Sequence, residues 1–255
     1  MLYYAVPYFF VVLTYSITIK EYQHFKTSGF WIFSLAILSA LSFNQTIYYA
    51  YKGFIDTTFA SEIQYFIKIC ATKFSAPLVI AGIAYLYWNS YDRKDMNFYG
   101  FKSSSYSAYV YMLAGMAPVI IAVSFLPDFI KFYPMYKSGR AEEYWGISRW
   151  ITFPVYEFCY GSSFLGIELL FRGFFVLALA RYLGKAAVFP MVAVYCFYHF
   201  GKPMGEAIGS IFGGYILGII AYYSRSIIGG FLLHAGIAWL MDISAIWQHV
   251  SKDEW

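Results

Sequence analysis

Within the apolar stretch Gly166–Gly173, reading GIELLFRG, Glu168 and Arg172 stand four residues apart. A carboxylate and a guanidinium are costly in hydrocarbon unless they pair, so two such residues in one apolar run need a reason to be there. At i, i+4 on a helix they share a face and can reach each other. Downstream, two apolar segments each carry a histidine: His199 in Ala186–Phe200 and His234 in Ser226–Trp247. Glu206 follows His199 closely, in HFGKPMGEAIG, at the start of another apolar run. This set suits acid–base chemistry on water. A buried carboxylate with an imidazole can take a proton from water, and an always-charged arginine can orient the carboxylate. Each residue also has a plainer reading. Glu168 and Arg172 can be a structural clamp, His199 an interfacial histidine, and Glu206 an acid favoured by a helix dipole. His234 has no polar neighbour in its own segment, FLLHAGIAW, so its partner must come from another helix.

The elements that must position these residues are membrane helices. Of 255 residues, 60% are hydrophobic and 13% charged, with a mean hydropathy of +0.55. Soluble domains carry about 25% charged residues. Apolar runs at Leu2–Ile19, Phe30–Tyr51, Phe74–Trp88, Tyr106–Leu126, Phe164–Tyr182, Ala186–Phe200, Gly205–Tyr223 and Ser226–Trp247 predict an all-α polytopic membrane protein of about eight spans. The polar break 127–149 divides an N-terminal helical group, 1–126, from a C-terminal four-helix group, 150–255, which holds all the unusual polar residues. Trp150–Tyr182 is too long for one straight span, roughly 50 Å against a core of about 30 Å, so a bend is expected at Pro154, Gly161 or Gly166. Glu168 and His199 lie about 21 Å and about 20 Å of helical rise from their shared turn, Leu183–Lys185, and so at similar depth. His234 lies roughly 12 Å from the Ser224–Arg225 turn on the same side.

The remaining features carry less. The 27 Tyr and 26 Phe read as packing and interfacial belts. The opening MLYYAVPYFF reads as a first span rather than a cleaved leader. Cys70, Cys159 and Cys196 have no metal or disulfide spacing. A net charge of +4 gives no nucleic-acid footprint. The glycines 205, 209, 213, 214 and 218 form a strip suited to close helix contact. Asp242 is expected in a polar network. Arg181, Lys185 and Arg225 favour placing their turns on the inner side of a cell (inner) membrane.

Taken in order and spacing, these residues resemble the CPBP family of intramembrane endopeptidases, the CAAX protease and bacteriocin-processing group. That family carries Glu-Glu-x-x-x-Arg, then Phe-x-x-x-His, then His-x-x-x-Asn. Glu168 matches the second glutamate, Arg172 the arginine, His199 the second motif and His234 the third. Tyr195 replaces the phenylalanine, Ile167 the first glutamate and Ala238 the asparagine. The resemblance implies that the first glutamate and the second-motif histidine activate water, and that the third-motif histidine and asparagine stabilise the oxyanion. Losing one oxyanion donor typically costs about 10²–10³ in rate. The site is then either rearranged, with Glu168 or Glu206 as base, or degenerate.

The leading expectation is an intramembrane endopeptidase of glutamic type acting on membrane-anchored peptide or protein termini in the bilayer. Glu168, His199 and His234 would be catalytic, Arg172 and Glu206 supporting, and no cofactor or metal is needed. A zinc site built from Glu168, His199 and His234 ranks lower, because local HExxH spacing is absent. The alternative is a non-catalytic membrane scaffold, chaperone or immunity protein. A transporter is disfavoured by the lack of paired halves with matching broken helices.

Overall fold

The computed structural model describes residues 1–102 and 106–251. Among them there is no strand, and the order is helical throughout: α1 (Leu2–Ile19), α2 (Ser28–Thr58), α3 (Ser61–Tyr87), α4 (Ser107–Val123), α5 (Pro127–Phe132), α6 (Arg140–Trp145), α7 (Arg149–Glu168), α8 (Leu179–Leu183), α9 (Val188–Tyr198), α10 (Met204–Ser224) and α11 (Ile228–Val250). Six helical runs among the described residues are long and apolar enough to cross a membrane, counting Arg149–Tyr198 as one. The expected number of about eight is therefore not reached by length. The 17 residues of α4 and the 11 of α9 are shorter than a full span.

The helix runs past Pro154, Gly161 and Gly166 without a break, and a different device follows them. The chain stays helical from Arg149 to Leu183, but the ten residues Leu169–Ala178 wind as a π-helix. All ten are buried. Wide turns of this kind occur mostly as short insertions near functional sites, and this one begins directly after Glu168 and contains Arg172. Gly173 is needed within it, because a Cβ there would stand 2.8 Å from the Tyr99 carbonyl oxygen. Gly161 serves close packing instead: the Trp239 ring occupies the space a Cβ would take.

Two compact units draw on separated parts of the chain. The first comprises Met1–Asn44, Val79–Ser104 and Gly166–Gly230. Its core is aromatic. Phe174 receives Phe33, Tyr87 and Tyr99 at centroid distances of 5.4, 5.5 and 5.3 Å, and Phe175 receives Tyr8 at 5.6 Å. These rings clamp the π-helix. α9 is fixed from both sides: Tyr3 donates to the Phe197 carbonyl at 2.8 Å, and Asn44 Nδ2 to the Tyr198 hydroxyl at 2.7 Å. α10 comes close to α9 through Gly214 and Gly218, where a Cβ would meet Tyr195 at 2.9 Å and Met191 at 2.6 Å. Gly205, Gly209 and Gly213 have open space and take no part in that contact, so only two glycines of the strip pack.

The second unit comprises Gln45–Leu78, Ser105–Leu165 and Phe231–Trp255. A ladder of rings, Tyr136 on Tyr156 on Tyr160 on Phe164, runs along α7. The polar loop that precedes α7 is pinned by Glu142, whose side chain accepts from the Tyr136 hydroxyl at 2.5 Å, from the Gly139 N–H at 2.7 Å and from the Thr152 hydroxyl. Burial pushes the Glu142 carboxyl up, but the three hydrogen bonds outweigh it and hold the group below its ordinary value. A carboxyl with a depressed folded-state pKa contributes stability above its unfolded value, and that stability is lost as pH falls through the folded one. The loop should therefore loosen as pH drops below the ordinary glutamate range, and Glu142→Gln should remove that dependence. Hydrogen exchange of residues 136–147 across an acid titration checks it.

Candidate active site

Glu168 ends α7, and Arg172 lies one turn further in the π-helix. Arg172 Nη1 stands 3.0 Å from Glu168 Oε1, with the side chains 1% and 0% exposed. The guanidinium also lies over the Tyr195 ring, 4.3 Å from its centroid. Such a pair costs much to desolvate, so the stacked ring and the ion pair together are what make it tolerable. The other carboxylate oxygen, Oε2, is packed against the backbone of Gly230, where a Cβ would come within 2.5 Å of it. Gly230→Ala should therefore displace a carboxylate already held by Arg172 and cost about 1–3 kcal/mol by overpacking. A lowered thermal midpoint in detergent is the expected readout.

His199 caps the C-terminal end of α9 and is buried. Its Nδ1 lies 2.9 Å from the Tyr195 carbonyl oxygen, one helical turn back. A carbonyl can only accept, so Nδ1 carries the hydrogen and Nε2 of the neutral ring presents a lone pair. Nε2 faces Glu206 Oε1 at 4.0 Å. Glu206 sits in the first turn of α10, and its Oε1 also receives the Lys202 ammonium at 2.5 Å. The loop Gly201–Pro203 thus places an imidazole, a carboxylate and an ammonium together, all partly or wholly sheltered. Tyr195 links this cluster to the ion pair: its ring stacks on Arg172, while its backbone fixes His199 and its ring lies 4.4 Å from the imidazole. The first unit therefore assembles Glu168, Arg172, Tyr195, His199, Lys202 and Glu206.

In the second unit His234 packs on Phe164, with ring centroids 4.4 Å apart. Asp242 is fully buried and accepts from the Met135 N–H at 3.0 Å, which gives it a structural hold on the loop before α6. Its carboxyl lies close enough to that of Glu157, a residue that sequence reasoning passed over, for the two to interact electrostatically. No spacing signal links these two, 85 positions apart. Lys202 was also overlooked, although its i, i+4 relation to Glu206 was a readable sign. Among the described residues no three His, Cys, Asp or Glu side chains cluster as metal ligands would.

The fold and these residues define an integral membrane protein that keeps ionisable groups buried among apolar helices. Residues 151–240 match the family described as type II CAAX prenyl endopeptidase Rce1-like, a match that supports the resemblance to the CPBP family of membrane proteases over that region. The matched stretch includes Glu168, Arg172, Tyr195, His199, Lys202, Glu206 and His234. No curated protein and no solved structure matches the chain.

Proposed function

We propose that this protein is an intramembrane endopeptidase whose water is activated by His199 together with Glu206. The observation that carries the reading is the 4.0 Å separation of His199 Nε2 from Glu206 Oε1, with Nδ1 already committed to the Tyr195 carbonyl. That distance is too long for a direct hydrogen bond, and it suits one water about 2.8 Å from each group. Both groups accept, so such a water donates both its hydrogens and turns a lone pair outward. That is the orientation needed to attack a peptide carbonyl. As the C–O bond forms, a proton passes to the His199–Glu206 pair. As the C–N bond breaks, the same proton passes to the leaving amine.

Glu206 takes the place of the family's first glutamate, where this chain has Ile167. Lys202 holds one oxygen of that carboxylate and so fixes its rotamer. Glu168, wholly buried and paired with Arg172, braces the start of the π-helix and keeps the guanidinium against Tyr195, which in turn sets His199. The oxyanion role assigned to His234 rests on the family pattern alone. Substrates are membrane-anchored peptides or protein termini, by analogy with the family's prenylated endpoints, and the cell membrane is the expected site of action. Comparing the termini of membrane proteins from cells carrying the wild type and His199→Ala tests this reading. Cleaved termini present with the wild type and absent with the variant are expected, and identical sets would count against it.

A second reading has its own observation. Ile167 and Ala238, which stand where the family has a glutamate and an asparagine, are both buried hydrophobic positions. A chain that has filled two catalytic positions with apolar side chains fits a membrane scaffold or chaperone that retains the ion pair for packing.

A further inference from the structure

A second feature of the first unit lies apart from these residues. The loop after α3 and the turn after α10 enclose a cavity of about 770 Å³. Arg93, Lys94, Lys102 and Arg225 line it together with one acid, Asp95, and Trp88, Met96 and Leu177 give it an apolar wall. The enclosing backbone is fastened at several points. Ile227 N–H donates to the Gly100 carbonyl at 3.0 Å, and the Ser226 hydroxyl to the Lys102 carbonyl at 2.6 Å. Trp88 Nε1 donates to the Met96 carbonyl at 2.9 Å. Gly100, at φ +83°, is required there, because a Cβ would also press on Ile227 and Arg225.

The two acids nearby, Asp92 and Asp95, share one arginine. Arg181 Nη2 reaches Asp92 Oδ1 at 2.6 Å and Asp95 Oδ2 at 2.5 Å, and the Tyr99 hydroxyl donates to Asp92 Oδ2 at 2.6 Å. Arg93, Lys94, Lys102 and Arg225 make no ion pair with an acid among the described residues. Four cations against a single lining acid that Arg181 already engages leave the cavity net positive, and they repel each other unless an anion joins them. The cavity also lies where the candidate spans Ser61–Asp92 and Met204–Ser224 end, which is headgroup depth for a membrane protein.

We propose that this cavity binds a phosphate group, with the cations as its electrostatic partners. Trp88, Met96 and Leu177 suit the glycerol and first acyl carbons of a lipid that carries the phosphate. Selectivity for net negative charge follows, because a zwitterionic headgroup brings its own cation into an already basic site. The proposal is independent of the peptidase reading, since none of its residues belongs to that site.

The test uses the full chain, purified in neutral detergent. Phosphatidylglycerol, phosphatidylcholine and inorganic phosphate are titrated separately, with thermal midpoint and native mass spectrometry as readouts. Phosphatidylglycerol should be retained and should raise the midpoint, whereas phosphatidylcholine should do neither. Lys102→Gln and Arg225→Gln should each weaken the effect about fivefold, the loss expected for one charge near a lipid surface. Lys102→Arg should preserve it, as should Lys131→Gln, which removes a cation elsewhere. If phosphatidylglycerol acts and inorganic phosphate does not, the ligand is lipid. If inorganic phosphate acts alone and competes, the ligand is a free phosphate. The proposal is overturned if neither binds, if the Gln variants at 102 and 225 bind as the wild type does, or if Lys131→Gln weakens binding equally.

Discussion

Replacing Glu206 by glutamine should lower cleavage of a membrane-anchored peptide by about 10²-fold or more, the usual contribution of a general acid–base group. Helix content and thermal midpoint should stay close to wild type. The substitution keeps the side chain's shape but puts an amide where a carboxylate oxygen now faces His199 Nε2 at 4.0 Å. An amide cannot take a proton from water, so the imidazole is left to act alone. Folding should survive, because Glu206 lies in the first turn of α10 and is only partly buried. Its ion pair with Lys202 is of the partly exposed kind that contributes little to stability. Lys202→Met should act in the same direction but more weakly, by freeing the carboxylate to leave the imidazole.

The largest effect on folding should come from Arg172→Ala. It leaves Glu168 buried at 0% exposure without its guanidinium, and breaking a buried pair in this way costs about 3–5 kcal/mol. Many membrane proteins cannot bear that loss, so low yield or aggregation in detergent is expected. The double replacement Glu168→Leu with Arg172→Met removes both charges and should recover most of the stability. Comparing the thermal midpoints of the three proteins decides the matter. A midpoint for Arg172→Ala equal to wild type would falsify the bracing role. Cleavage by the double variant is informative in its own right. Activity that persists assigns Glu168 to structure, and activity lost despite recovered folding returns it to the chemistry.

Much of this arrangement was legible in the sequence, for reasons that can be named. The Glu168–Arg172 contact follows from i, i+4 spacing in an apolar run, because two charges there have few other ways to be tolerated. The proximity of Glu206 to His199 follows from a loop too short to separate them. The π-helix could not be read. Leu169–Ala178 is buried on every side, so no polar face marks a change of period from 3.6 to wider turns. Gly161 was legible only as a place for the helix to bend, whereas a glycine in a membrane helix serves close packing as readily, and here it admits Trp239. Glu157 and Asp242 meet across 85 positions, a relation that only tertiary packing creates. Tyr195 was visible only as a replaced phenylalanine, yet its ring and carbonyl join the two halves of the candidate site.

The most direct test of shared water activation is a double-mutant cycle on kcat/KM, using wild type, His199→Ala, Glu206→Gln and the two combined. Two groups that hold one water act as a unit, so the combined variant should be scarcely slower than either single one. Losses that multiply, or full activity in Glu206→Gln while His199→Ala is inactive, would contradict a water held between His199 and Glu206.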